Sequence, residues 1–166
     1  MKIPISEMII RMTDISAGNL HDINHFMKVW AFAGCIGRKE GLEERAQNVL
    51  EAAAIVHDIA CPLCREKYGS TEGSLQEREG GPLTESFMAE FALSRDFVED
   101  VVWLVQHHHT YSNVQRVEHR ILLEADFLVN ACESGCSREQ IEAAERSFFR
   151  TETGLMLLRS MYLREE

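Results

Sequence analysis

Hydrophobic positions recur at helical spacing along nearly the whole chain. Ile23, Phe26, Met27, Val29, Trp30, Phe32, Ala33 and Ile36 fall at intervals of three and four residues, the signature of a long amphipathic helix. Gly41 separates it from a second helical stretch over residues 42–59, where Glu43 and Glu44 suit the positive end of the helix dipole. A short helix is predicted ahead of both, over 6–15, followed by the turn-like Ser16-Ala-Gly-Asn-Leu. Further on, the pattern predicts helices over 82–93, with Pro82 in the first turn, and over 95–108, with Ser94 as cap. Tyr111-Ser-Asn-Val reads as a turn before a strongly apolar helix over 117–132, and 138–149 and 154–163 complete the series. Period-two alternation and Asn-Gly or Asp-Gly hairpin turns are missing. The expected fold is an all-α, single-domain helical bundle of about seven to nine helices over residues 1–166.

One stretch breaks the rhythm. Between 61 and 81, Pro62, Gly69, Gly73, Gly80 and Gly81 mix with Ser70, Thr71 and Ser74. The expectation is a long loop, of the kind that forms lids and binding walls. The plainer alternative is a surface insertion with a short helix around 65–68.

Composition narrows the class. At 166 residues, 45% hydrophobic and 27% charged, the chain has the make-up of one ordinary globular domain. It holds no apolar run long enough for a bilayer, and Pro4 and Glu7 make its start a poor signal peptide, so a cytoplasmic protein is expected. The net charge of −10 repels nucleic-acid polymers. It still admits a small phosphorylated substrate, because a bound metal reverses the field inside a pocket. Five cysteines without a secretory signal argue against a disulfide framework. Cys61-Pro-Leu-Cys64 has the spacing of a zinc knuckle and Cys132-Glu-Ser-Gly-Cys136 a looser one, against the simpler reading of reduced thiols. No membrane partner is expected, and the oligomeric state is open, a homodimer included.

The candidate chemistry lies in polar residues that do not belong on apolar faces. The run Glu51-Ala-Ala-Ala-Ile-Val-His57-Asp58-Ile-Ala60 must be buried, and burying an imidazole and a carboxylate is costly unless something pairs with them. A divalent cation takes both. Asp126 shares a helical face with Leu122, Val129 and Asn130, so its carboxylate also needs a partner. Glu124 lies about 200° around that helix and is expected at its edge or in solvent. His21, His25 and Lys28 are spaced to share a face, with His25 deeper in the apolar pattern and His21 exposed. Of His107, His108 and His109, at most two can reach one pocket from a helix turning about 100° per residue.

Taken in order, His25-x-x-Lys28-Val29, His57-Asp58 and Glu124-Ala-Asp126, on separate helices, resemble the HD-domain superfamily of metal-dependent phosphohydrolases over roughly residues 20–130. The resemblance implies metal ligands at His25, His57, Asp58 and Asp126. For a second metal it implies Glu79, with Glu77 also available, and His107-His108 ahead of Tyr111. Many members follow the doublet with Ile-Gly-Lys, whereas this chain has Ile59-Ala60-Cys61 and lacks the lysine associated with substrate phosphate. Lys28, Lys67, Arg78 and Arg120 remain as cations, Lys28 being nearest His25 in pattern. The implied catalytic residues are Asp58, as ligand and orienter of water, and Lys28. The implied cofactor is one divalent transition metal (Mn, Fe, Co, Ni or Zn), with room for a second. Two other readings stand beside it: an HD-like di-iron oxygenase, and a regulatory module that binds metal or ligand without turnover.

Overall fold

The computed structural model describes residues 3–164, so Met1, Lys2, Glu165 and Glu166 of the predicted single domain lie outside it. The described residues form nine helices and no strand: α1 (Ile5–Ile15), α2 (Leu20–Lys39), α3 (Glu44–Val56), α4 (Cys61–Tyr68), α5 (Gly73–Met88), α6 (Arg95–Val105), α7 (Val117–Glu133), α8 (Arg138–Ser147) and α9 (Glu152–Tyr162).

The centre is a trio. α2 packs along both α3 and α7, and α3 also touches α7. Phe26, Val29, Ala33 and Ile36 form the buried stripe of α2, each large aliphatic or aromatic side chain contributing about 1.5–3 kcal/mol on leaving water. From Val49 to Val56, α3 is buried at every position. A helix buried all round needs small residues where neighbours crowd it, and Ala52, Ala53 and Ala54 supply them. α1 and α6 also pack on α3, and α9 rests on α7.

The segment expected as a long loop is mostly helix. Cys61–Tyr68 is a helix with Pro62 in its first turn, and it ends at Gly69, whose φ of 63° is the left-handed form that stops helices. Gly73–Met88 then runs straight through Gly80, Gly81 and Pro82, so Pro82 lies mid-helix and not in a first turn. The glycines are there for close approach. A Cβ on Gly80 would lie 2.8 Å from Cγ1 of Val105, and one on Gly73 would lie 2.6 Å from Cγ of His109. At its other end α6 stops at Val105, and the three histidines follow in a turn. Likewise α3 stops at Val56, so His57 and Asp58 open a turn between α3 and α4.

Glu124 also departs from expectation. It is fully buried and accepts hydrogen bonds from the backbone N–H groups of Arg150 (2.7 Å) and Thr151 (3.0 Å) and from the Thr151 hydroxyl. Sequence periodicity places it away from Asp126, and it does face away, but against the α8–α9 turn. A second buried acid, Glu51, takes hydrogen bonds from Trp30 Nε1 (2.9 Å), Gln47 Nε2 (2.7 Å) and Arg38 Nη1 (2.5 Å), tying α2 to α3.

Candidate metal centre

The turn after α3 brings His57 and Asp58 under α2 and α7, where they meet His25 and Asp126. His25 Nε2 lies 3.1 Å from Asp126 Oδ1, 3.2 Å from His57 Nε2 and 3.4 Å from Asp58 Oδ2. His57 Nε2 lies 3.5 Å from both Asp58 Oδ1 and Asp126 Oδ1. His25, His57 and Asp126 are buried, while the Asp58 side chain keeps 24% of its surface exposed.

The outer nitrogens fix what the inner ones offer. His25 Nδ1 donates to Glu133 Oε2 at 2.8 Å, and His57 Nδ1 donates to the Ala54 carbonyl at 2.9 Å. With those hydrogens committed, two neutral rings direct lone pairs at each other across 3.2 Å. Such an arrangement requires a positive centre between them, a proton or a metal ion. Electrostatics agree. Burial works against charge on His25, yet the hydrogen bond to Asp126 and the charges of Asp58 and Asp126 outweigh it and raise its pKa to about 9. His57 is raised too, against its burial, by Asp58 and Asp126. Both carboxyls are held well below the usual range despite burial, Asp58 chiefly by the neighbouring imidazoles of His57 and His108, Asp126 by its contacts with His25 and His57.

A second group shares Asp58. His108 is fully buried, donates from Nδ1 to the Val105 carbonyl at 2.6 Å, and sets Nε2 3.4 Å from Asp58 Oδ1. That Nε2 has no hydrogen-bond partner, nor do the buried Nε2 of His109 and Oε1 of Gln76. Burial, then the neighbouring His108, depress His109 to about 4, so its ring is neutral at ordinary pH. Unpartnered buried imidazole nitrogens beside a carboxylate call for a bound cation. Candidate ligand atoms of His25, His57 and Asp58 lie within 4.8 Å of one another, and so do those of Asp58, His108 and His109. Both groups fit a divalent metal, and neither contains a cysteine; the five thiols are all free.

Five residues singled out in the sequence stand elsewhere. His107 turns outward, donating Nδ1–H to the Trp103 carbonyl at 2.7 Å and stacking on that indole; because the histidines occupy a turn, the neighbouring pair His108-His109 faces inward instead. Glu79 takes the Tyr68 hydroxyl at 2.5 Å, with Lys67 and Arg78 each at 3.4 Å, and Glu77 binds the backbone N–H of His109 and the Thr110 hydroxyl, both at 2.9 Å. Lys28 pairs with Glu133 Oε1 at 2.9 Å, behind His25. Arg120 donates to the Val114 carbonyl at 2.6 Å. Three contributors give no sign of themselves in the sequence. Gln76 and Glu133 carry no spacing signal, and Arg65 falls in the stretch expected as a loop. A pocket of about 170 Å³ opens onto the centre, walled by His21, Asp22, Arg65, Thr71, Gln76, His109 and Asn130.

No helix among the described residues is long and apolar enough to cross a membrane. Neither the curated proteins nor the solved structures give a significant match to this chain. The family profile described as "HD domain" matches residues 17–131 of the 166, a span that begins just before α2 and takes in His25, His57-Asp58, His108-His109 and Asp126. By that match, and with an all-helical fold whose buried His and Asp side chains can cage a metal, the chain belongs to the HD-domain family.

Proposed function

We propose that this protein is a metal-dependent phosphohydrolase acting on a small phosphorylated metabolite or nucleotide, a phosphomonoester or phosphodiester. The observation that carries this reading is the pair of imidazole nitrogens facing each other at 3.2 Å between two buried or half-buried carboxylates. His25, His57, Asp58 and Asp126 are the proposed ligands of one divalent ion. Asp58, His108, His109 and the Gln76 carbonyl oxygen are the proposed surroundings of another. Mixed imidazole and carboxylate donors suit Mn, Fe, Co, Ni or Zn. Such an ion supplies an acidified water and a positive charge against a phosphoryl oxygen.

The chain's own groups do the rest. Asp58 is the one acid of the set that reaches the pocket with exposed surface, so it orients the attacking water. Glu133 and the Ala54 and Val105 carbonyls keep three imidazoles in the tautomer that presents Nε2 inward. A pocket of about 170 Å³ and a net charge of −10 favour a small phosphorylated substrate over a polymer in this reading.

Metal analysis of the purified protein tests the proposal, followed by a substrate panel with Mn, Co, Ni and Mg that reads phosphate released from phosphomonoesters and alcohol and monoester released from phosphodiesters. His57→Ala and Asp58→Ala should lose metal and activity together. Iron-dependent oxygen uptake without ester hydrolysis would replace the hydrolase by oxygenase chemistry, and a protein that takes up no metal would end the proposal.

A further inference from the structure

We infer that Arg65 is the anchoring cation of this site: its guanidinium, held at the pocket mouth by Asp22, receives the anionic oxygens of the substrate. This rests on the phosphohydrolase reading above and adds to it the residue that selects the substrate's charge.

Charge placement carries the argument. Of the side chains walling the pocket, Arg65 is the single lysine or arginine, among aspartates and neutral or titrating groups. The other nearby cations are engaged elsewhere: Lys28 with Glu133, Lys67 and Arg78 with Glu79, Arg120 with a backbone carbonyl. A phosphoryl group brings oxygens with negative charge toward Asp58 and Asp126, so a cation at the entrance is needed to make that approach favourable.

Geometry makes Arg65 suited to the task. It lies one helical turn beyond Cys61 on α4, and both residues line the pocket. Asp22, from the first turn of α2, grips it fork to fork, Nη1 to Oδ1 at 3.3 Å and Nη2 to Oδ2 closer still. That pairing uses two of the five N–H donors of a guanidinium and leaves three for a ligand. The Arg65 side chain keeps 41% of its surface exposed while Asp22 keeps 14%, so the acid is the inner brace and the cation presents the free edge. A planar fork that is braced before the ligand arrives loses less freedom on binding than a loose lysine would.

The test is calorimetric titration of inorganic phosphate into manganese-loaded protein. Arg65→Gln should weaken phosphate binding by roughly 10- to 100-fold, the value of lost charge-assisted hydrogen bonds, with the same manganese content per chain as wild type. Arg65→Lys should recover part of the loss, Asp22→Asn should weaken binding less than Arg65→Gln, and Lys67→Gln should leave it unchanged. Manganese-loaded wild type that binds no phosphate, or Arg65→Gln that binds within twofold of wild type, overturns the role of Arg65 alone. Wild type that holds no manganese overturns the metal centre beneath it.

Discussion

Glu133 stands directly behind His25, one of the proposed metal ligands. It accepts the Nδ1 hydrogen of His25 at 2.8 Å and is itself charge-paired with Lys28 at 2.9 Å. Outer partners of this kind fix the ring of a ligating histidine and raise its basicity. Glu133→Ala should therefore weaken manganese or zinc affinity by about 10- to 100-fold in a competition with a coloured chelator. Glu133→Gln, which keeps an acceptor without its charge, should lose less, and Lys28→Gln less again; unchanged affinity in Glu133→Ala would remove this role. His119 gives a separate handle. It is buried, its Nε2 donates to the His107 carbonyl at 2.7 Å, and burial depresses its pKa below the ordinary 6.5. Below pH 6.5 the unfolded chain takes up a proton that the folded one refuses, so this histidine subtracts stability as pH falls. His119→Gln should lose less stability than wild type between pH 7.5 and 5.5, by up to about 1 kcal/mol in urea titrations. Single residues are legible in the sequence where polarity clashes with periodicity, as at His25, His57, Asp58 and Asp126. Gln76, Glu133 and Arg65 sit among other polar residues, so nothing in the pattern sets them apart.

The pairing of α5 with the end of α6 is where sequence and structure diverge most, and the reason is instructive. Glycine signals either a turn or a place where two backbones come close, and the two look alike in a string of letters. Gly69 is the first kind, with its positive φ; Gly73 and Gly80 are the second, pressed on His109 and Val105. The helices that match expectation, α1, α2 and α7, have long apolar stripes that leave no such ambiguity. Gly80→Ala forces a methyl group against Val105 in a filled interface and should cost about 1–3 kcal/mol of stability in urea unfolding. Gly73→Ala displaces the ring of His109, so it should reduce the uptake of a second metal equivalent while sparing the first. Equal loss of both equivalents in Gly73→Ala would show that the two positions are not separable in this way.

Across the whole molecule, the family match ends at residue 131, yet α8 and α9 are bound into the same body as the matched helices. Glu124, two residues from Asp126, gathers the backbone of Arg150 and Thr151 and so pins the start of α9 to the helix that carries a proposed ligand. Glu124→Ala leaves those donors unpaired in the interior and should cost about 2–4 kcal/mol, read as a lower urea midpoint, with α9 loosened in hydrogen exchange. Periodicity along the chain reveals the bundle but not this tie, because a buried acid and its hydrogen-bond donors lie in different elements with no fixed spacing between them.

Asp58 belongs to both groups of prospective ligands, one oxygen turned toward His25 and the other toward His108. A lone acid with two customers cannot serve them independently: whichever ion arrives first drains part of the charge that would attract its successor. Filling should thus proceed in order, with a tight equivalent preceding a weak one in a stepped isotherm, and the cell's metal supply would set how many copies of this protein carry the full complement at any moment.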